Sequence, residues 1–261
     1  MRLPSKQKTV PAIAVAAVLA VWQAACSLGI IPAFMLPSPI AVVSALVSDF
    51  PLIWSHTVTT LLEAGLGLAI GVVLGFILAV LMDRFATFRL AIQPLITLSQ
   101  TVPTIAIAPL LVLWLGYGIL PKVVLIVLTT FFPVAVSLAD GFASVDRDII
   151  DLMRTMNASD LQIFIYAKLP AAAEQFFSGL KISATYAIVS AVIAEWLGGM
   201  SGLGVYMTRV RKSFSYDKMF ASILVISALS LGLMRLIGLL EHVCLPWKQI
   251  ERKEHGKIVA S

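Results

Sequence analysis

Charge is scarce in this 261-residue sequence: Asp, Glu, Lys and Arg make up 13% of it, where an ordinary soluble domain carries about 25%. So little charge cannot cover a water-exposed surface, which argues against a soluble fold and against disorder. Only two cysteines occur, Cys26 and Cys244, far apart in apolar stretches, so neither a disulfide-stapled module nor a cysteine metal site is implied. The three histidines, His56, His242 and His255, fall outside any His-Glu-x-x-His pattern, and no Gly-x-Ser-x-Gly is present. An intramembrane enzyme therefore lacks its nucleophile, base and metal, and no catalytic residue, metal or cofactor is expected. A Gly-x-x-x-x-Gly-Lys-Ser/Thr loop for nucleotide phosphates is also missing. The net charge of +5 could suggest nucleic acid, but the 19 Lys and Arg residues sit in short connections between apolar runs. That is the pattern of membrane topology, and no nucleic-acid partner is expected.

What is present is apolar length, with 59% hydrophobic residues and a mean hydropathy of +0.97. A helical span needs about 20 apolar residues, and six segments satisfy that ruler: 9–30, 57–82, 90–115, 121–141, 172–197 and 219–245. The fold class predicted is an all-α integral membrane protein with six transmembrane helices and a lipid bilayer as its solvent. Pro94, Pro103, Pro109 and Pro133 lie inside spans and imply kinks, the third span being broken or bent. The first run follows Arg2, Lys6 and Lys8, and Gln-Ala-Ala-Cys at 23–26 faintly resembles a cleavage site, but an uncleaved helix explains it. Residues 1–8 then form a cytoplasmic segment, 9–247 the six-span domain, and 248–261 a cytoplasmic tail.

With the N-terminus inside, twelve basic residues fall on the cytoplasmic side and five on the other: Lys122, Arg209, Arg211, Lys212 and Lys218. The positive-inside rule then puts both termini in the cytoplasm. The basic segment 198–218 breaks the rule locally, and it either stays outside or dips back to the inner face. In the second span, Gly67, Gly71 and Gly75 recur every four residues, with Gly65 and Ala79 beside them. This spacing lets two helix backbones approach closely in lipid and is assigned to helix packing.

The connection at 144–170 is 27 residues long, far above common loop lengths. It is predicted to be a cytoplasmic helix-turn-helix. Asp146 and Asp148 place negative charge at a helix start, and Ile149, Leu152, Met153 and Met156 form an apolar face. Asn157 is suited to a left-handed corner, and Ser159 with Gln162 completes a capping box. Leu161, Phe164 and Ile165 give the second helix an apolar side, and Pro170 is expected to stop it. Apolar side chains on the water side of a membrane need a partner, so the loop is read as a docking element for a cytosolic protein.

The run Asp151 to Pro170 resembles the EAA loop of permease subunits in bacterial ABC importers, a Glu-Ala-Ala triplet followed by a glycine and then Leu-Pro. Asp151-Leu-Met stands at the triplet, Asn157 at the glycine, and Ala158-Ser159 and Leu169-Pro170 match directly. Leu36-Pro-Ser-Pro39, Ser178-Gly-Leu-Lys-Ile-Ser183, Ala194-Glu-Trp196 and Gly202-Leu-Gly204 extend the resemblance. It implies a coupling helix that docks on a separate ATP-binding subunit through Asp151, Met153, Arg154, Met156, Asn157, Ala158, Ser159, Phe164, Leu169 and Pro170. It further implies an external solute-binding protein, a second permease subunit, most simply as a homodimer, and residence in the bacterial inner membrane. The wording of Gly179-Leu-Lys-Ile-Ser-Ala-Thr-Tyr186 and Ala194-Glu-Trp-Leu-Gly-Gly199 is similar to the branch for nitrate, taurine, aliphatic sulfonates and thiamine precursors. It is nearest to permeases for hydroxymethylpyrimidine-type precursors.

Charges inside spans are expensive and are expected to be paired, terminal or pathway-facing. Glu195 and Trp196, at the outer end of the fifth span, are either an interfacial anchor or a gate. Lys181 pairs with an acid or lines the path, and Tyr186 either stacks on substrate or packs. Arg235 with Glu241 is expected to be structural.

Overall fold

The computed structural model describes residues 5–32 and 34–246, and those residues form helices and connections without a strand. The tail expected at 248–261 lies outside them, as do residues 1–4 of the expected N-terminal segment. Helix α1 (Ser5–Ser27) is apolar from Val10 to Val21 and exposed there along its described side chains, with Trp22, Gln23, Ala25 and Cys26 half-buried, as suits a helix in lipid. Trp22 meets Phe220 with ring centroids 6.1 Å apart. A short helix that the sequence reading did not anticipate follows, α2 (Pro39–Ser48), its N-cap Ser38 accepting from Ala41 N–H at 3.2 Å and Pro39 in the first turn. Serine satisfies an orphan donor there while proline has none to lose.

The second span is α3 (Phe50–Arg84), 35 residues and so about 50 Å long at 1.5 Å per residue. The third is bent by 98° between α4 (Ala86–Thr101) and α5 (Thr104–Leu115), at Val102-Pro103, where proline disfavours a continuous helix. Then come α6 (Ile119–Ala143), α7 (Arg147–Thr155), α8 (Asp160–Ile163), a π-helical turn Phe164–Lys168, α9 (Leu169–Gly198), α10 (Leu203–Lys212) and α11 (Tyr216–Cys244). Counting the bent pair once, six candidate membrane spans are present among the described residues.

The core is the triple packing of α3, α6 and α9. Gly67, Gly71 and Gly75 face α6: a Cβ on Gly67 would meet the Ile126 side chain, one on Gly71 the Thr130 hydroxyl, and one on Gly75 the Phe131 carbonyl at 2.6 Å and Val134 Cβ at 2.9 Å. Backbone and β-branched side chains therefore occupy the space that glycine leaves, which is how small residues serve packing in lipid. Gly65, by contrast, has open space beside it.

Two expectations are corrected. Lys122 is not a loop charge. It is 5% exposed inside α6 and bonds Glu63 of α3 at 2.5 Å, because a buried ammonium is tolerable only beside a carboxylate. Pro170 does not stop the second loop helix. The preceding π turn shifts the hydrogen bonding, with Leu169 N–H donating to Phe164 O, and the helix runs on through α9. Proline at the start of the new register has no obligatory donor. Lys181 takes the first of its two expected places, in an ion pair with Glu241 of α11.

The segment 198–218 does not return to the loop face. Asp49, at the start of α3, accepts from Tyr206 Oη at 3.0 Å and from Lys218 Nζ at 2.9 Å, whereas the far end of α3 meets residues 160–168. Helix α10 folds inward, burying Leu203, Val205, Tyr206 and Val210.

Candidate functional site

The 144–170 loop is rigid by construction. Asp146 caps α7, its carboxylate accepting from Asp148 N–H at 3.0 Å. The helix ends in a Schellman motif, with Ala158 N–H donating to Met153 O at 3.0 Å and Asn157 N–H to Arg154 O at 2.9 Å. Asn157 has φ 61°, the left-handed conformation that this motif requires and that asparagine takes better than most side chains. Two residues on, Gln162 N–H donates to Ser159 Oγ at 3.3 Å and Ser159 N–H to Gln162 Oε1 at 2.8 Å, a complete capping box. The corner is thus closed by bonds within ten consecutive residues, Met153 to Gln162.

Two ion pairs fasten this unit to the end of α3. Arg84 meets Asp160 at 2.5 Å, and Lys168 donates to both carboxylate oxygens of Asp83 at 2.7 and 2.9 Å. The first is exposed and adds little energy, while the second is partly buried and bidentate. They line a cleft of about 640 Å³ between α3 and the loop. On the bundle side, Ile163 is buried and Phe164 packs on Phe142 of α6, centroids 5.3 Å apart. Arg84 and Lys168 were legible only as topology charges, and Asp83 carried no signal, because their partners lie 76 and 85 residues away.

The outward face is different in kind. Ile149, Leu152, Met156, Leu161 and Tyr166 are exposed, Met156 at 75% and Tyr166 at 71%. Asp151 and Arg154 form an exposed i, i+3 pair at 3.5 Å. Asn157, Ser159, Leu169 and Pro170 are exposed as well, with Met153 and Ala158 half-buried. Phe164 departs from its expected place: it is half-buried against α6, so its ring fills the bundle instead of the docking face.

The four candidates in the fifth span do not form one cluster. Lys181 is ion-paired with Glu241. Tyr186 and Trp196 are partly exposed, at 46% and 43%. Glu195 is 1% exposed, so it is not an interfacial anchor in contact with headgroups. Among the described residues, no group of His, Cys, Asp and Glu could hold a metal.

These features are those of a helical membrane protein with an exposed apolar loop at one end. The family model for the binding-protein-dependent transport system inner membrane component matches residues 71–242. The chain belongs to that family. It is 39% identical over 232 residues to a probable ABC transporter permease protein of Haemophilus influenzae, covering 89% of this chain and 95% of that one. It is 38% identical over 217 residues to the formylaminopyrimidine transport permease protein ThiX of Halalkalibacterium halodurans, covering 83% and 87%. A crystal structure of an amino acid ABC transporter with histidines superposes at a TM-score of 0.61 with 20% identity, covering 76% of this chain and 96% of that one, a likeness of fold. The chain is therefore an ABC importer permease. It is not itself an enzyme: an ATP-binding subunit hydrolyses ATP, and a binding protein brings the solute.

Proposed function

We propose that this permease, as a homodimer, forms the translocation path for a hydroxymethylpyrimidine-type thiamine precursor, with both termini in the cytoplasm and the 144–170 loop seated on the ATP-binding subunit. One observation carries the docking reading: an exposed apolar face of Ile149, Leu152, Met156, Leu161 and Tyr166 on a loop braced by two caps and two ion pairs. A rigid, charged-rimmed apolar face transmits motion and excludes water at an interface. Asp151, Arg154, Asn157, Ala158 and Ser159 form its rim and corner, with Met153, Leu169 and Pro170 supporting it. Burial of Lys122 supports the orientation, since it removes one of the five basic residues counted against it. A single chain supplies six spans, and a path between two copies suits alternating access. The 38% identity to a formylaminopyrimidine permease supports the substrate class.

Copurification tests the docking. Met156→Asp with Leu161→Asp should release the ATP-binding subunit from the detergent-solubilised complex without lowering its melting temperature. Retention of the subunit refutes the docking face. For the substrate, calorimetry of the cognate binding protein with hydroxymethylpyrimidine, taurine and nitrate decides. Binding of taurine but no pyrimidine overturns the substrate and leaves the permease role intact.

A further inference from the structure

A second built cluster lies at the end of the bundle opposite the loop. Helix α10 begins behind Gly202, at φ 117°, and has no cap of its own. Its first N–H groups are satisfied across the fold instead. Gly202 N–H donates to His56 Nδ1 at 2.9 Å, Leu203 N–H to Thr60 Oγ1 at 2.9 Å, and Gly204 N–H to Glu195 Oε2 at 2.6 Å. The Thr60 hydroxyl donates in turn to Glu195 Oε1 at 2.7 Å. One carboxyl group and one hydroxyl, from α9 and α3, thus cap a helix belonging to neither, with the acceptor oxygens at the positive end of the α10 dipole. Thr60, Glu195 and His56 are all buried. A Cβ on Gly202 would run into the Glu195 carboxyl group and one on Gly204 into the Val192 carbonyl, so the approach depends on glycine.

The arrangement is concentrated in three side chains, His56, Thr60 and Glu195. The apolar side of α10, with Leu203, Tyr206 and Val210, packs in the cluster of Val42, Ile53 and Ala221, and Tyr206 bonds Asp49. Helix α10 therefore joins α2, α11 and the first turn of α3 on one side to α9 and the next turns of α3 on the other, and the second attachment rests on bonds gathered at Glu195, Thr60 and His56. Beside it, Glu63 stands on α3 one turn beyond Thr60 and bonds Lys122 through Oε1, while its Oε2 is buried without a hydrogen-bond partner. Lys122 bonds Glu63 alone of the two acids and lies within electrostatic reach of Glu195.

We propose that Glu195 and Thr60 are positioning residues forming a catch, which holds α10 closed over the end of the path opposite the coupling loop and releases to admit solute. This rests on the permease reading, and the test separates the two. The permease is reconstituted in liposomes with its ATP-binding subunit, with and without binding protein, as wild type, Glu195→Gln, Thr60→Val and Thr60→Ser. Gln at 195 cannot accept two bonds through two oxygens, and Val at 60 removes the bridging hydroxyl. Loss of one buried hydrogen bond that leaves its partner unsatisfied shifts the closed–open balance by about tenfold. ATP hydrolysis without binding protein should rise by about that factor in Glu195→Gln and Thr60→Val, stay at wild-type level in Thr60→Ser, and rise no further in the double variant. Labelling of Val205→Cys, a position of α10 that is buried while the helix is closed, by an impermeant maleimide, with Cys26 and Cys244 replaced by Ser, should accelerate in parallel. Unchanged unstimulated hydrolysis and labelling overturn the catch even where the melting temperature falls. Should Glu195→Gln not fold, Thr60→Val carries the same comparison. A wild-type complex that the binding protein does not stimulate refutes the permease reading instead.

Discussion

Replacing Lys122 by Met should be the most damaging single change in the bundle. The Lys122 and Glu63 side chains are 6% and 4% exposed and 2.5 Å apart, so solvent screens them little. At an effective dielectric of 20 the gross attraction is about 7 kcal/mol, and it opposes a desolvation penalty of several kcal/mol per ion. The net worth of the pair is therefore small, but removing one partner strands a buried charge and costs about 3–5 kcal/mol. Lys122→Met leaves Glu63 and Glu195 facing each other without a cation, whereas Glu63→Met leaves Lys122 beside Glu195. The first should cost more. The double variant replaces the pair by apolar side chains of similar volume and should lie within about 2 kcal/mol of wild type. Unfolding of the detergent-solubilised permease in SDS, followed by helical ellipticity, gives the three values and a coupling energy of about 3 kcal/mol or more. Single costs that merely add would refute the coupled buried pair.

Four further outcomes follow from the same geometry. Gly75→Ala drives a methyl against the Phe131 carbonyl at 2.6 Å and should cost about 1–3 kcal/mol, while Gly65→Ala meets open space and should stabilise by up to about 1 kcal/mol; the same SDS titration compares them. Asn157→Gly should be neutral or slightly stabilising, because φ 61° suits glycine better, so a loss of uptake in that variant would assign the side chain a direct contact. Phe164→Asp should lower the melting temperature through its packing on Phe142, unlike Met156→Asp, whose exposed side chain leaves stability unchanged. Asp49 is held below the usual carboxylate range chiefly by the Lys218 hydrogen bond, against partial burial. Its stabilisation is complete above the unfolded value near pH 4 and fades as pH falls through the lower folded value. Melting temperature should thus be flat from pH 5 to 8 on this account and drop in acid, and Asp49→Asn should flatten the acid limb.

The features legible in the sequence are those whose physics is local. Asn157, Ser159 and Gln162 specify their corner within a few residues, and capping chemistry has a fixed spacing. Gly67, Gly71 and Gly75 announce close approach by period alone, although not the partner α6. The bend at Pro103 is written in the residue itself. Helix α2 and α10 were hidden because each is short, with 10 residues, and their helical state is fixed by packing on α3, α9 and α11. Pro170 misled for a related reason: proline forbids one hydrogen-bond register, and the π turn ahead of it supplies another.

Charges show where sequence reading runs out. Each charged residue was sorted by its neighbours in the chain, yet its meaning is set by a partner far away: Lys122 by Glu63, Lys168 by Asp83, Lys181 by Glu241, Lys218 by Asp49. The same lysine count therefore divides into pairs that lock helices together and residues that face solvent, and only the second group can orient the protein in a membrane. Removing Lys122 from that group strengthens the positive-inside assignment. Lys218 is tied to Asp49, which leaves the last turn of α10, with Arg209, Arg211 and Lys212, as the local exception. That exception sits on the one helix whose N-terminus is capped by a carboxylate from another span. A segment that must part from the bundle gains from hydration of its free end and from few, localised bonds at its fixed end, and α10 has both.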